Sequence, residues 1–157
     1  MTDIRFVALD SATAARYRDG AFDANGQAPE RRICAEGGLP CRHCLRHIPI
    51  GAPYLILALR PFTTLQPYAE LGPIFLCADP CERHTDTAEL PEMFARGDRY
   101  MLRGYSADER IIYGTGDVVE VPAIAARAAE LLARDDVAFV HMRSARNNCY
   151  QARIDRA

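Results

Sequence analysis

At 157 residues with a net charge of −2 at neutral pH, the chain is one ordinary domain in length, able to bury roughly 70% of its unfolded surface without help from a metal or a disulfide. The near-balanced charge excludes a bulk pull toward nucleic acid or anionic membrane, and the complete lack of lysine among nineteen basic residues excludes Schiff-base and phosphate-loop chemistry. Met1-Thr2-Asp3-Ile4-Arg5 has no apolar signal core, and the longest apolar run, near Pro53–Leu59, is far short of the ~20 residues that cross a bilayer; the expectation is a cytoplasmic protein whose six cysteines stay reduced.

In chain order, Ile4 to Leu9 reads as a first strand, and Ser11 as the cap of a short helix that runs through Tyr17 and stops at Gly20. Asp23-Ala24-Asn25-Gly26 is a turn; it is no calcium loop, because Ala21 stands where the first acidic ligand belongs. Pro40 leads into a first cysteine pair, and Ile48-Pro49-Ile50-Gly51 turns the chain into a strand from Tyr54 to Leu59. After a proline- and threonine-containing connection, Pro61 to Pro67, comes a strand from Pro73 to Cys77 and then a second cysteine pair. Pro91 opens a helical turn through Arg96. Strands are expected near Tyr100–Tyr105, Arg110–Tyr113 and Val118–Val121, with the turn Gly114-Thr115-Gly116-Asp117 before the last.

The clearest helix spans about 122–134. Pro122 suits its first position, and Ile124, Ala128, Leu131 and Leu132 form one apolar stripe. Arg127, Glu130 and Arg134 take the opposite side, with Glu130 and Arg134 spaced to pair. Two strands close the chain, Val137–Arg143 and Cys149–Asp155, around the polar loop Ser144–Asn148. Pairing Arg143 with Cys149 sets Met142 opposite Tyr150, Val140 opposite Ala152 and Ala138 opposite Ile154, which gathers an apolar face. Phe139, His141, Arg143, Cys149, Gln151 and Arg153 fall on the other. The whole predicts one α+β domain, residues 1–157, built on a mostly antiparallel sheet with one amphipathic helix and one or two short ones.

Chemistry concentrates in two places. Cys41-Arg42-His43-Cys44 and Cys77-Ala78-Asp79-Pro80-Cys81 are separated by residues 45–76, and thiols at these spacings suit a tetrahedral thiolate metal site, most simply structural zinc. His84 is an alternative to Cys77, since Cys81-Glu82-Arg83-His84 is also a ligand spacing. A thioredoxin-like role for Cys41 and Cys44 is disfavoured, because Pro40, Pro49 and Gly51 leave little helix behind the pair. At the final hairpin, Arg143, Asn147, Asn148 and Arg153 suggest a site for a small anionic ligand or partner. The competing reading makes Cys149 a nucleophile with His141 as its base. Clusters such as Arg31-Arg32 and Arg143, Arg146, Arg153 and Arg156 do not amount to a nucleic-acid surface without net basic charge and aromatic platforms.

Cys41-Arg42-His43-Cys44-Leu45, Pro67-Tyr68-Ala69-Glu70, Gly72–Ala78, Tyr113-Gly114-Thr115-Gly116 and Arg143–Cys149 together resemble a bacterial family catalogued as domain of unknown function 1203. The resemblance runs from about Ile4 to Arg156 and implies a small bacterial cytosolic protein, with no activity attached. The leading expectation is therefore a non-catalytic, zinc-stabilised domain with an arginine- and asparagine-lined anion site.

Overall fold

The computed structural model describes all 157 residues. The elements follow in the order β1 (Ile4–Val7), α1 (Ser11–Arg18), β2 (Glu30–Ile33), β3 (Pro53–Leu59), β4 (Gly72–Cys77), α2 (Glu92–Ala95), β5 (Arg99–Tyr105), β6 (Asp117–Glu120), α3 (Ile124–Leu132), β7 (Phe139–Ser144) and β8 (Tyr150–Arg156), with a 3₁₀ turn at Val121–Ala123 leading into α3. The architecture is α+β, and its antiparallel strands divide between two sheets. One has five strands in the order β1-β8-β7-β5-β6; the other has three, β2-β3-β4.

Each sheet owns a core. Ile124, Ala128, Leu131 and Leu132 of α3 are all buried, together with Leu102, Val140, Met142 and Ile154 from the five-stranded sheet. Fully burying each large side chain of that stripe contributes about 1.5–3 kcal/mol, which is what holds α3 on the sheet. The second core joins Leu55, Leu57, Leu59, Ile74 and Leu76 of the smaller sheet to Ala14 and Tyr17 of α1, and it includes Cys41 and Cys44. No helix is long and apolar enough to cross a membrane.

Several local expectations change. The N-cap of α1 is Asp10, whose Oδ2 accepts from Thr13 N at 2.9 Å; Ser11 becomes the first helical residue, and its hydroxyl is freed for another partner. Gly20, at φ 91°, lies just beyond the end of α1 as expected. Arg110–Tyr113 is not a strand: only Ile111 forms an isolated bridge, to Tyr105. Instead Thr115, wholly buried, holds this segment by side-chain bonds, its Oγ1 accepting from Gly104 N (2.9 Å) and donating to Ile112 O (2.5 Å). On α3, Glu130 pairs with Arg127 at 3.0 Å, while Arg134 turns to Asp136 at 2.8 Å. The helix ends at Leu132, so Arg134 no longer sits one turn beyond Glu130.

The β7–β8 hairpin also departs from the expected pairing. Val140 pairs with Ile154, His141 with Arg153 and Met142 with Ala152, and a bulge after Met142 then sets Arg143 opposite Tyr150. Relative to the expected register this is a slip of two residues, which preserves the side-chain alternation, so Val140, Met142, Ala152 and Ile154 still line the buried face. The reason lies in the turn. Ser144 N donates to Cys149 O, Ser144 Oγ accepts from Cys149 N, and Asn148 takes a left-handed conformation at φ 57°. These bonds absorb Cys149 into the turn. Past the bulge, Tyr150 lies against His141, ring centres 4.9 Å apart, and not on the apolar face.

A strap between β3 and β4 crosses the outer face of β5 and β7. Its clamp is Glu109, a buried residue at φ 62°. The Glu109 carboxylate accepts from Thr63 N and Oγ1 and from Thr64 N and Oγ1, at 2.7–3.1 Å. Burial pushes the Glu109 carboxyl up, but the bonds from Thr63 and Thr64 outweigh it and leave its pKa below the ordinary 4.5.

Candidate functional site

The loop bearing the first cysteine pair is wedged between the two sheets. Cys41 bridges to Phe75 of β4, Arg42 N donates to Phe75 O (3.2 Å), and Leu9 N donates to Arg42 O (2.9 Å). Leu45 N closes the knuckle by donating to Cys41 O at 3.0 Å. That closure drives Leu45 to φ 51° while its side chain stays 2% exposed. A left-handed leucine costs on the order of 1–3 kcal/mol, so burial of the side chain must offset it.

Here the four cysteines meet. The sulfurs of Cys41, Cys44, Cys77 and Cys81 all lie within 4.8 Å of one another, and Cys41 and Cys81 are 3.9 Å apart. A tetrahedral site with metal–sulfur bonds of ~2.3 Å requires sulfurs ~3.8 Å apart, so the donor set fits a metal with slight contraction. His84 lies outside the cluster, with its Nε2 3.4 Å from Thr87 Oγ1. The four thiols are unequal. Hydrogen bonding from Cys44 draws Cys41 down to about 6, and bonds beginning with that from Cys41 lower Cys81 as well. Cys44 and Cys77 are pushed up, chiefly by their bonds to Cys41. Four such close sulfurs cannot all be thiolates without a cation among them; a bound divalent ion removes that conflict.

Around the sulfurs stands a ring of donors that sequence spacing does not disclose. Arg18, the last residue of α1, donates from Nη2 to Cys81 Sγ at 3.0 Å and from Nε to Cys77 O at 3.0 Å. His43 Nδ1 lies 3.1 Å from Cys81 Sγ, and Ser11 Oγ lies 2.9 Å from His43 Nε2. With Ser11 donating to Nε2, Nδ1 carries the proton and donates to the sulfur. Cys77 N donates to Cys41 Sγ at 3.4 Å. Groups of this kind orient thiolates and spread their charge. The sixth cysteine, Cys34, is buried and donates to Glu36 O at 3.0 Å.

The hairpin forms the second candidate. A cavity of about 180 Å³ is lined by Arg143, Asn148, Cys149 and Tyr150 on one side and by Glu70 and neighbouring apolar residues on the other. Arg143 Nε donates to Asn148 O (3.2 Å) and Oδ1 (2.9 Å), which explains why the turn needs asparagine at that left-handed position. Of the four expected ligand-site residues, the fold brings Arg143 and Asn148 together. Asn147 and Arg153 do not line this cavity; Arg153 pairs with Asp155 at 2.6 Å and stacks on Phe139 at 4.1 Å.

Cys149 and His141 make no hydrogen bond to each other. The Cys149 thiol contacts Asn147 O at 3.7 Å. His141 is 1% exposed and enclosed by the rings of Phe62, Tyr105, Phe139 and Tyr150 at 4.8–5.2 Å, with Nδ1 unpartnered. Desolvation, reinforced by Arg143, Arg153 and Arg103, holds its pKa well below 6.5. A base with so depressed a pKa is poorly matched to activating a thiol near neutrality.

Arg42 links the two places. It is 2% exposed, yet its Nε donates to Tyr150 O (2.8 Å) and its Nη1 to Pro40 O (2.7 Å). Burial draws its pKa down to about 10, so it remains charged at neutral pH.

The sequence model of the family described as "Protein of unknown function (DUF1203)" matches residues 38–156. No curated protein and no solved structure is matched. The matched segment covers more than half of the chain and includes all four clustered cysteines and the hairpin, whereas Ser11 and Arg18 precede it. The chain belongs to the DUF1203 family.

Proposed function

We propose that this DUF1203 chain is a non-catalytic domain stabilised by one structural zinc and carrying an anion-binding cavity beside Arg143. The observation that carries the metal reading is the convergence of four cysteine sulfurs within 4.8 Å, supplied by the Cys41–Cys44 loop, by the end of β4 and by the loop that follows it. An all-thiolate tetrahedral set favours zinc over the harder, oxygen-seeking divalent ions. Such a site works in a reducing compartment, here the cytoplasm, because disulfide formation consumes its ligands. The zinc would clasp the Cys41 loop to β4 and thereby fix the second core. The anion reading rests on Arg143 and Asn148, which the hairpin turn sets side by side at the cavity wall.

Metal analysis of protein purified without a histidine tag tests the first part. One zinc per chain, lost in Cys41→Ser together with the stability of the smaller sheet and α1, is the expected result. A wild-type protein that is fully folded and free of metal sinks the proposal.

A further inference from the structure

The cavity beside Arg143 has an internal carboxylate at its edge. Glu70, on the strap before β4, stands between two arginines that are diagonal neighbours on one face of β5 and β7. Its Oε1 accepts from Arg103 Nη2 at 2.8 Å, while its Oε2 lies 3.7 Å from Arg143 Nη2, an ion pair too long for a hydrogen bond. The two arginines are differently supplied. Arg103 also donates to Tyr105 Oη from Nε (2.9 Å) and Nη2 (2.6 Å). Arg143, only 5% exposed as a residue, hydrogen-bonds through Nε to Asn148; its Nη1 and Nη2 make no hydrogen bond within the protein and are not sealed from solvent. Two amino groups with no acceptor in the protein and open to the cavity can meet an acceptor placed there.

The cavity indicates what that is. Arg143 and Asn148 form its polar end, and Leu59, Pro61, Leu71 and Pro73 supply an apolar remainder. Its volume of about 180 Å³ leaves room for a short-chain acid. A planar fork of N–H groups matches a carboxylate in bidentate fashion. We infer that this cavity binds a small monocarboxylate whose head group sits on Arg143 and whose short chain fills the apolar end, with Glu70 as the built-in competitor for Arg143. The inference rests on the reading of the cavity as an anion site. Glu70 suits the competing part because its side chain is 41% exposed, so it can swing into water when displaced.

The test is a titration of the ¹⁵N-labelled, metal-loaded full chain with butanoate, its uncharged amide butanamide, and inorganic phosphate, followed by NMR. Butanoate should saturate, shifting the backbone amides of Asn148, Cys149 and Tyr150 and the side-chain Nε–H of Arg143, while butanamide leaves them unmoved. Glu70→Gln, an exposed and conservative change, should tighten butanoate binding about tenfold, a difference of about 1.4 kcal/mol. Arg143→Gln should abolish it in protein whose other resonances stay in place. Binding of phosphate but not butanoate overturns the carboxylate class and leaves the anion site standing. Equal butanoate affinity in wild type and Glu70→Gln overturns the role given to Glu70. No saturable shift with either anion, in wild type or in Glu70→Gln, removes the anion site itself.

Discussion

Arg18 shows how much of the cysteine cluster depends on residues that are not cysteines. Its guanidinium reaches both Cys81 Sγ and the carbonyl of Cys77, so one side chain fixes the second ligand pair from a helix that contributes no ligand. His43 also reaches Cys81 Sγ, from inside the first pair, with Ser11 Oγ at its other ring nitrogen. Arg18→Ala should weaken zinc binding about 10–100-fold, measured by competition with a chromophoric chelator. Arg16→Ala, two residues earlier on α1, should leave it unchanged. His43→Ala is expected to fall in the same range as Arg18→Ala. Equal affinity in all four proteins would reduce these contacts to packing. The cysteines themselves were readable from spacing alone, because a short loop carrying two thiols has few other uses in a reduced chain. Arg18 was not, since 59 and 63 residues separate it from its partners and an arginine at a helix end ordinarily reads as a favourable charge on the dipole.

At the scale of whole elements, the strap is the part whose stability depends most visibly on acidity. Four donors from Thr63 and Thr64 converge on the Glu109 carboxylate, and losing that convergence in Glu109→Gln should cost about 1–3 kcal/mol in urea denaturation. Because the folded carboxyl titrates below its ordinary 4.5, its contribution is complete above that value and disappears as the pH falls through the lowered one. The gap between wild type and Glu109→Gln should therefore be full at pH 6 and close in strongly acidic solution; a gap independent of pH would refute the assignment. This clamp left little trace in the sequence, where Ser106–Glu109 looks like an ordinary turn. The strands fared better. Alternation of apolar residues is enough to place Val140, Met142, Ala152 and Ile154 on one face, and that pattern survives a two-residue slip. It is blind to a bulge, because an extra residue carries no signature of its own, and so the side of Tyr150 could be learned only from the turn bonds at Ser144. The exposed strand β2, with no buried face, offered no alternation to read.

The molecule as a whole has two cores of different character. The one under α3 has 18 buried residues and no cysteine; the one under α1 has 12, of which three are cysteines. Removing zinc with a chelator should therefore act on one half. Amides of β3, β4 and α1 should lose protection from hydrogen exchange while those of β5, β7 and β8 keep most of theirs, as expected when local opening follows local contacts. A uniform loss across both sheets would contradict this division. Arg42 crosses that division. It leaves the backbone between two of the clustered cysteines and ends on the carbonyl of Tyr150, a residue in the wall of the cavity. A side chain shared in this way turns two sites into the two ends of one balance. Where ion and acid both bind as proposed, linkage requires that the factor by which zinc raises affinity for the acid equal the factor by which the acid raises affinity for zinc.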